Sequence, residues 1–79
     1  MITKETIEQL YRSRVRELGR VQKFLDKEFV DAIEKKLQEE RNQLLRIAES
    51  EELVLATRQK YSLLLDPVYF QQKFYSDKS

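Results

Sequence analysis

The chain has one glycine, Gly19, and one proline, Pro67, in 79 residues. Average usage of the two together is about 12%, and they supply most of the special backbone angles that tight turns need. A chain so poor in both has little material for the closely spaced turns of a β-fold, which leaves long helices. The predicted class is all-α: a helical hairpin with a packed N-terminal helix and a short C-terminal helix. Residues 1–75 are expected to form one domain, and 76–79 a frayed tail.

Hydrophobic periodicity supports that reading. Thr3 is a suitable N-cap, with Glu5 in the first turn where the helix dipole favours a carboxylate. The apolar face of helix 1 is then Ile7, Leu10, Tyr11, Leu18, Val21 and Leu25, spaced by three, four and seven. Gly19 lies inside this pattern at a cost of about 1 kcal/mol relative to alanine, and a close helix crossing beside Leu18 is the expected reason. Asp26 can cap a second helix, with Leu25 and Val30 placed as a hydrophobic staple. From there Val30, Ile33, Leu37, Leu44 and Ile47 form a heptad seam interrupted by Glu40.

The stretch Glu49, Ser50, Glu51, Glu52 has the chemistry of a helix start, so a break is expected near Ser50. A third helix would carry Leu53, Val54, Thr57, Tyr61, Leu64 and Leu65. The heptad register also survives the break, so one helix of about 39 residues is the alternative. Asp66 followed by Pro67 then signals a short last helix with Val68, Tyr69, Phe70, Phe74 and Tyr75.

Composition narrows function. Histidine and cysteine are absent, which removes the commonest general base, the commonest zinc ligands, the thiolate nucleophile and any disulfide. One glycine cannot build a phosphate-cradling loop. The expectation is a non-enzyme without cofactor, metal or small-molecule substrate. No apolar run is long enough for a membrane span and no signal peptide is apparent, so a cytoplasmic setting is expected. A chain of 79 residues without disulfide or metal is marginal alone, which favours self-association or a partner.

Net charge is +1, with charged residues 37% of the chain, so any charge argument is local. Residues 1–27 carry seven bases against four acids, and residues 28–52 four bases against eight acids. Arg12, Arg16, Arg20, Lys23 and Lys27 follow helical spacing as a basic stripe that could track phosphates, with Arg14 to its side. The competing reading pairs that stripe with the acids of helix 2, namely Glu28, Asp31, Glu34, Glu39 and Glu40, within a chain or between chains.

The aromatic residues cluster late. Tyr69, Phe70, Phe74 and Tyr75 have the spacing of anchors that an amphipathic helix lays into a partner's groove. Equally, the last helix could fold back and close the core.

Three resemblances accompany this reading. Glu5 and Glu8 with Glu28 and Asp31 resemble the E-x-x-E…E-x-x-D motif of all-α nucleoside-triphosphate pyrophosphohydrolases, which implies Mg²⁺ held by carboxylates. That family's downstream lysine and asparagine have no counterpart. Leu10, Tyr11 and Arg12 are similar to the tripeptide of LYR-motif proteins, over three residues only. The helix pattern ending Leu64, Leu65, Asp66, Pro67 resembles short helical-hairpin accessory proteins of tailed bacteriophages, which implies a small accessory role.

The sequence therefore points to a protein–protein interaction module. Its expected means are a homo-oligomer interface on Val30, Ile33, Leu37, Leu44 and Ile47, and partner anchors at Tyr69, Phe70, Phe74 and Tyr75. Replacing Glu40 by leucine is expected to stabilise the assembly. Nucleic-acid binding through the basic stripe is the second reading.

Overall fold

The computed structural model describes residues 3–49 and 60–76. Among them are four α-helices and no strand: α1 (Lys4–Val21), α2 (Lys27–Glu49), α3 (Ser62–Leu65) and α4 (Pro67–Ser76), with a 3-10 turn (Gln22–Phe24) between α1 and α2. The all-α class holds. The break near Ser50 and the positions Leu53, Val54 and Thr57 lie outside the described residues.

Local chemistry sets the helix ends. Thr3, in extended backbone, accepts the Thr6 N–H on its hydroxyl at 3.1 Å, satisfying one of the amides a helix start leaves unpaired. Asp26 Oδ1 accepts the Glu28 N–H at 3.3 Å, and the Asp26 carbonyl accepts the Val30 N–H at 3.0 Å. Leu25 and Val30 both pack into the core, as a staple requires. Asp66 Oδ1 accepts the N–H groups of Val68 and Tyr69 at 3.0 and 3.2 Å, with Pro67 in the first helical position, where its missing N–H does no harm. α4 continues to Ser76, one residue beyond the expected end.

α1 and α2 run antiparallel, and Arg41 Nη2 meets Glu8 Oε1 at 2.6 Å across them. The chain then doubles back. Leu64 bonds to Glu40 at 3.0 Å, whereas 24 residues of unbroken helix would hold them ~36 Å apart. A single long helix through both is therefore excluded.

The core is Ile7 and Leu18 from α1, Val30, Ile33, Leu37 and Leu44 from α2, and Tyr61, Leu63, Leu64, Phe70 and Phe74 from the returning chain. Ile47 packs against its edge. The seam expected to hold a second copy is thus covered by the chain's own α1, α3 and α4. Heptad spacing specified which face is buried and not what covers it.

Two further expectations change. Gly19 is exposed, and among the described residues nothing beyond its own helix lies within 4 Å of where a Cβ would be, so no described helix crosses there. The basic stripe ends with α1 at Val21: Lys23 lies in the 3-10 turn and Lys27 opens α2 beyond the Asp26 cap, because the turn breaks the helical phase that joined them.

Candidate interaction surface

α3 has only four residues, so most of its amides and carbonyls lack partners within the helix. Leu65 and Asp66 donate to the carbonyls of Tyr61 and Ser62 at 3.0 Å each. Two charged side chains supply further partners. Glu40 Oε1 accepts the Leu64 N–H at 3.0 Å. Arg14 donates from Nε to the Leu63 carbonyl at 3.1 Å and from Nη2 to the Leu64 carbonyl at 2.9 Å. The carboxylate thus sits at the amide end and the guanidinium at the carbonyl end, the sense a helix dipole favours.

Both charges are nearly inaccessible, Arg14 at 6% and Glu40 at 4% exposure. Burial pushes the Glu40 carboxyl above its ordinary range, while the amides of Leu64 and Leu63 and the charge of Lys36 pull it back. Among the described residues its Oε2 is buried without a hydrogen-bond partner. Burial likewise lowers the Arg14 pKa, opposed by Glu17 and Asp66, yet a guanidinium remains charged.

Clamping α3 fixes α4. The Arg14 guanidinium lies 5.6 Å from the centre of the Phe70 ring, a cation–π distance. Phe70 and Phe74 pack edge to face at 5.0 Å. Gln71 donates to Glu17 on α1 at 3.1 Å. With this side of α4 tied down, the opposite side faces solvent: Val68 is 60% and Tyr75 73% exposed.

The expected anchors therefore divide. Phe70 and Phe74 close the core, Tyr69 is half-buried with Lys73 over its ring at 5.4 Å, and only Tyr75 is presented outward. Val68 was missed as its companion. The two are seven residues apart, one helix face, and opposite the Phe70–Phe74 pair. Arg14 was missed as well, although it stands seven residues after Ile7 and four before Leu18, within the apolar face.

On α1 the row Arg12, Arg16 and Arg20 is exposed. The expected pairing of a basic α1 with an acidic α2 is not what joins these helices at Arg41 and Glu8, where the acid is on α1 and the base on α2. Arg41 also lies over the Tyr11 ring at 5.3 Å. The pyrophosphohydrolase-like acids are drawn apart: with Glu8 opposite Arg41, Asp31 lies ten residues, or ~15 Å, further along α2. Among the described residues no three acids converge as metal ligands. No described helix is long and apolar enough to cross a membrane. No protein-family model, curated protein or solved structure matches the chain.

Proposed function

We propose that this chain is a small non-catalytic interaction module, an accessory, adaptor or inhibitory subunit, that offers the outer face of α4 to a partner protein. The observation that carries this reading is the exposure of Val68 and Tyr75 on a helix whose other side is fixed by Phe70, Phe74 and the Asp66 cap. Lys73 is the only charge between Pro67 and Ser76, in a chain that is 37% charged. Such a face suits a partner with an apolar, uncharged surface, and tyrosine is enriched at the centre of such contacts. Pre-organisation helps, because a helix already held in place loses little entropy on docking.

The test is affinity capture followed by mass spectrometry, comparing the native chain with the Val68→Glu, Tyr75→Lys double variant. Both new charges suit their helix end, so helix content and melting temperature should stay close to native while the captured partner is lost. Retention of the same partner by the variant would end the reading. The second reading, nucleic acid on Arg12, Arg16 and Arg20, draws support from their exposure. Three phosphate contacts would give a slope of log affinity against log salt of about −2.7 on duplex DNA. A duplex titrated by fluorescence anisotropy at several salt concentrations checks it.

A further inference from the structure

Between Gln9 and Leu25 the chain carries five bases and a single acid, Glu17. Arg14 is spent on the carbonyls of α3, and Glu17, half-buried, accepts the Gln71 amide at 3.1 Å. What remains exposed is Arg12, Arg16 and Arg20, one per helical turn, followed by Lys23 in the 3-10 turn. At 100° per residue Arg16 is turned about 160° from the buried Leu18, so the row faces away from the core. Among the described residues none of these arginines forms an ion pair. By the register that Glu8 and Arg41 set, Glu34 and Asp31 of α2 stand level with Val15 and Leu18, but they alternate with Lys27 and Lys35 and leave the row unpaired. The outer face of α1 is thus of one sign from Gln9 onward, whereas that of α2 is mixed.

The row ends at an aromatic ring. Phe24 closes the 3-10 turn and is 64% exposed, while Phe29 is half-buried and Phe70 and Phe74 are buried. Lys23 Nζ lies 5.3 Å from the Phe24 ring centre, so ring and charge share one surface. Its neighbours Val21 and Leu25 turn into the core instead. A lone exposed apolar residue is ordinary; one at the end of an acid-free basic row is a recurring feature of surfaces that track a polyanion and stack its bases. Beyond the ring, Asp26 and Glu28 on either side of Lys27 end the acid-free stretch.

We infer that this face binds single-stranded nucleic acid, with phosphates along Arg12, Arg16, Arg20 and Lys23 and an unpaired base stacked on Phe24. The inference rests on the second reading of the arginine row and narrows it; it does not involve α4. Arginines repeated at ~6 Å along a helix suit an evenly charged backbone. A duplex keeps its bases stacked on one another and offers the ring nothing, whereas every base of a single strand has a free face. A lipid surface asks for an apolar strip beside the bases, but the exposed residues among the arginines are Ser13, Gly19 and Val15, the last only 38% exposed. With a net charge of +1 there is no long-range attraction, so the association is weak and confined to low salt.

The experiment is a fluorescence anisotropy titration of nuclease-treated protein into a labelled oligothymidylate of about ten nucleotides. The oligonucleotide is used alone and annealed to its complement, at several salt concentrations. Phe24→Leu and the double variant Arg12→Gln with Arg16→Gln change only exposed side chains, and circular dichroism confirms that each is folded. On the single strand, four contacts should give a slope of log affinity against log salt of about −2.8, and the double variant about −1.4, with at least about a tenfold loss at low salt. Phe24→Leu should keep the slope and weaken the single strand at least about fivefold, with no effect on the duplex. The chain has no tryptophan, so Phe24→Trp supplies a single reporter, whose emission the oligothymidylate should quench as a base stacks on it. Binding that Phe24→Leu leaves unchanged, or weakens equally in single strand and duplex, overturns the inference while the arginine-row reading stands. No binding of either form at low salt overturns both. Binding to phosphatidylserine vesicles without binding to the oligonucleotide overturns both in favour of a membrane surface.

Discussion

The α1–α2 seam and α3 are held by opposite means. In the seam Ile7, Leu18, Ile33, Leu37 and Leu44 bury apolar surface, and each helix satisfies its own backbone. In α3 the apolar side chains Leu63 and Leu64 are also buried, but four residues cannot satisfy their own backbone groups, so Arg14 and Glu40 reach in from α1 and α2. Burial of apolar area is tolerant of exact placement, whereas a buried amide or carbonyl needs one partner at one distance. The short element is consequently the one that demands charged residues in the core.

The largest expected effect tests whether α4 belongs to the same core. Replacing Phe70 and Phe74 by alanine removes two buried rings, at about 3–5 kcal/mol each. A domain of 79 residues has a total stability of only about 4–12 kcal/mol. The double variant is expected to lose its cooperative thermal transition and most of its helical circular dichroism. A folded variant with native helix content would place the rings outside the core and return them to the role of anchors.

Next is the basic half of the clamp. Arg14→Met keeps the length and the packing of the side chain but leaves the carbonyls of Leu63 and Leu64 without donors, at about 1–3 kcal/mol each. Chemical denaturation should show a loss of about 3 kcal/mol, similar to that of Leu37→Ala in the seam. What separates the two is local: hydrogen exchange at the Leu64 amide should rise more in Arg14→Met than the exchange of α2 amides. A uniform rise would mean that α3 opens only together with the whole molecule, and an unchanged denaturation midpoint that the clamp contributes nothing beyond packing.

The acidic half is smaller and depends on pH. Glu40→Leu is expected to destabilise by about 1–3 kcal/mol, since the buried Leu64 N–H loses its acceptor, the opposite of what a seam position alone suggests. Glu40→Gln retains an acceptor and removes the charge. Because burial raises the Glu40 pKa in the fold, the native state binds the proton more tightly than the unfolded chain. The associated stability is fully present below the unfolded pKa and is lost as pH rises through the folded one. Native protein should therefore lose stability relative to Glu40→Gln as pH rises from the ordinary carboxylate range upward, measured by denaturation midpoints across that window. A constant difference would mean that Glu40 titrates as if exposed.

Much of the scaffold was legible in the sequence. Thr3, Asp26 and Asp66 act locally, on amides two or three residues away, so their capping could be read from adjacent residues. The seam residues were legible as a buried face for the same reason, since periodicity is a local property. What covers that face is not. Whether Leu37 meets a second chain or the returning Leu63 and Leu64 depends on contacts between residues more than twenty positions apart, and no spacing rule encodes them. Glu40 and Arg14 were visible as polar residues on apolar faces, but their common target, the backbone of α3, exists only once the chain has doubled back.

The smallest expected effect asks whether seam and clamp unfold together. Gly19 touches neither. It stands exposed in α1 with no neighbouring atom within 4 Å of the position a Cβ would take, so alanine there meets no obstacle and reduces the freedom of the unfolded chain instead. Gly19→Ala is expected to stabilise by about 0.5–1 kcal/mol. If the molecule opens as one unit, the slowest amides of α2 and the Leu64 amide should gain protection by the same factor. If α3 opens separately while α1 and α2 stay paired, the α2 amides alone should gain, since α1 remains helical in that partly open state and the substitution leaves its population relative to the native state unchanged. The same substitution that barely alters stability thus decides whether the two charges merely decorate a finished hairpin or complete a single cooperative core.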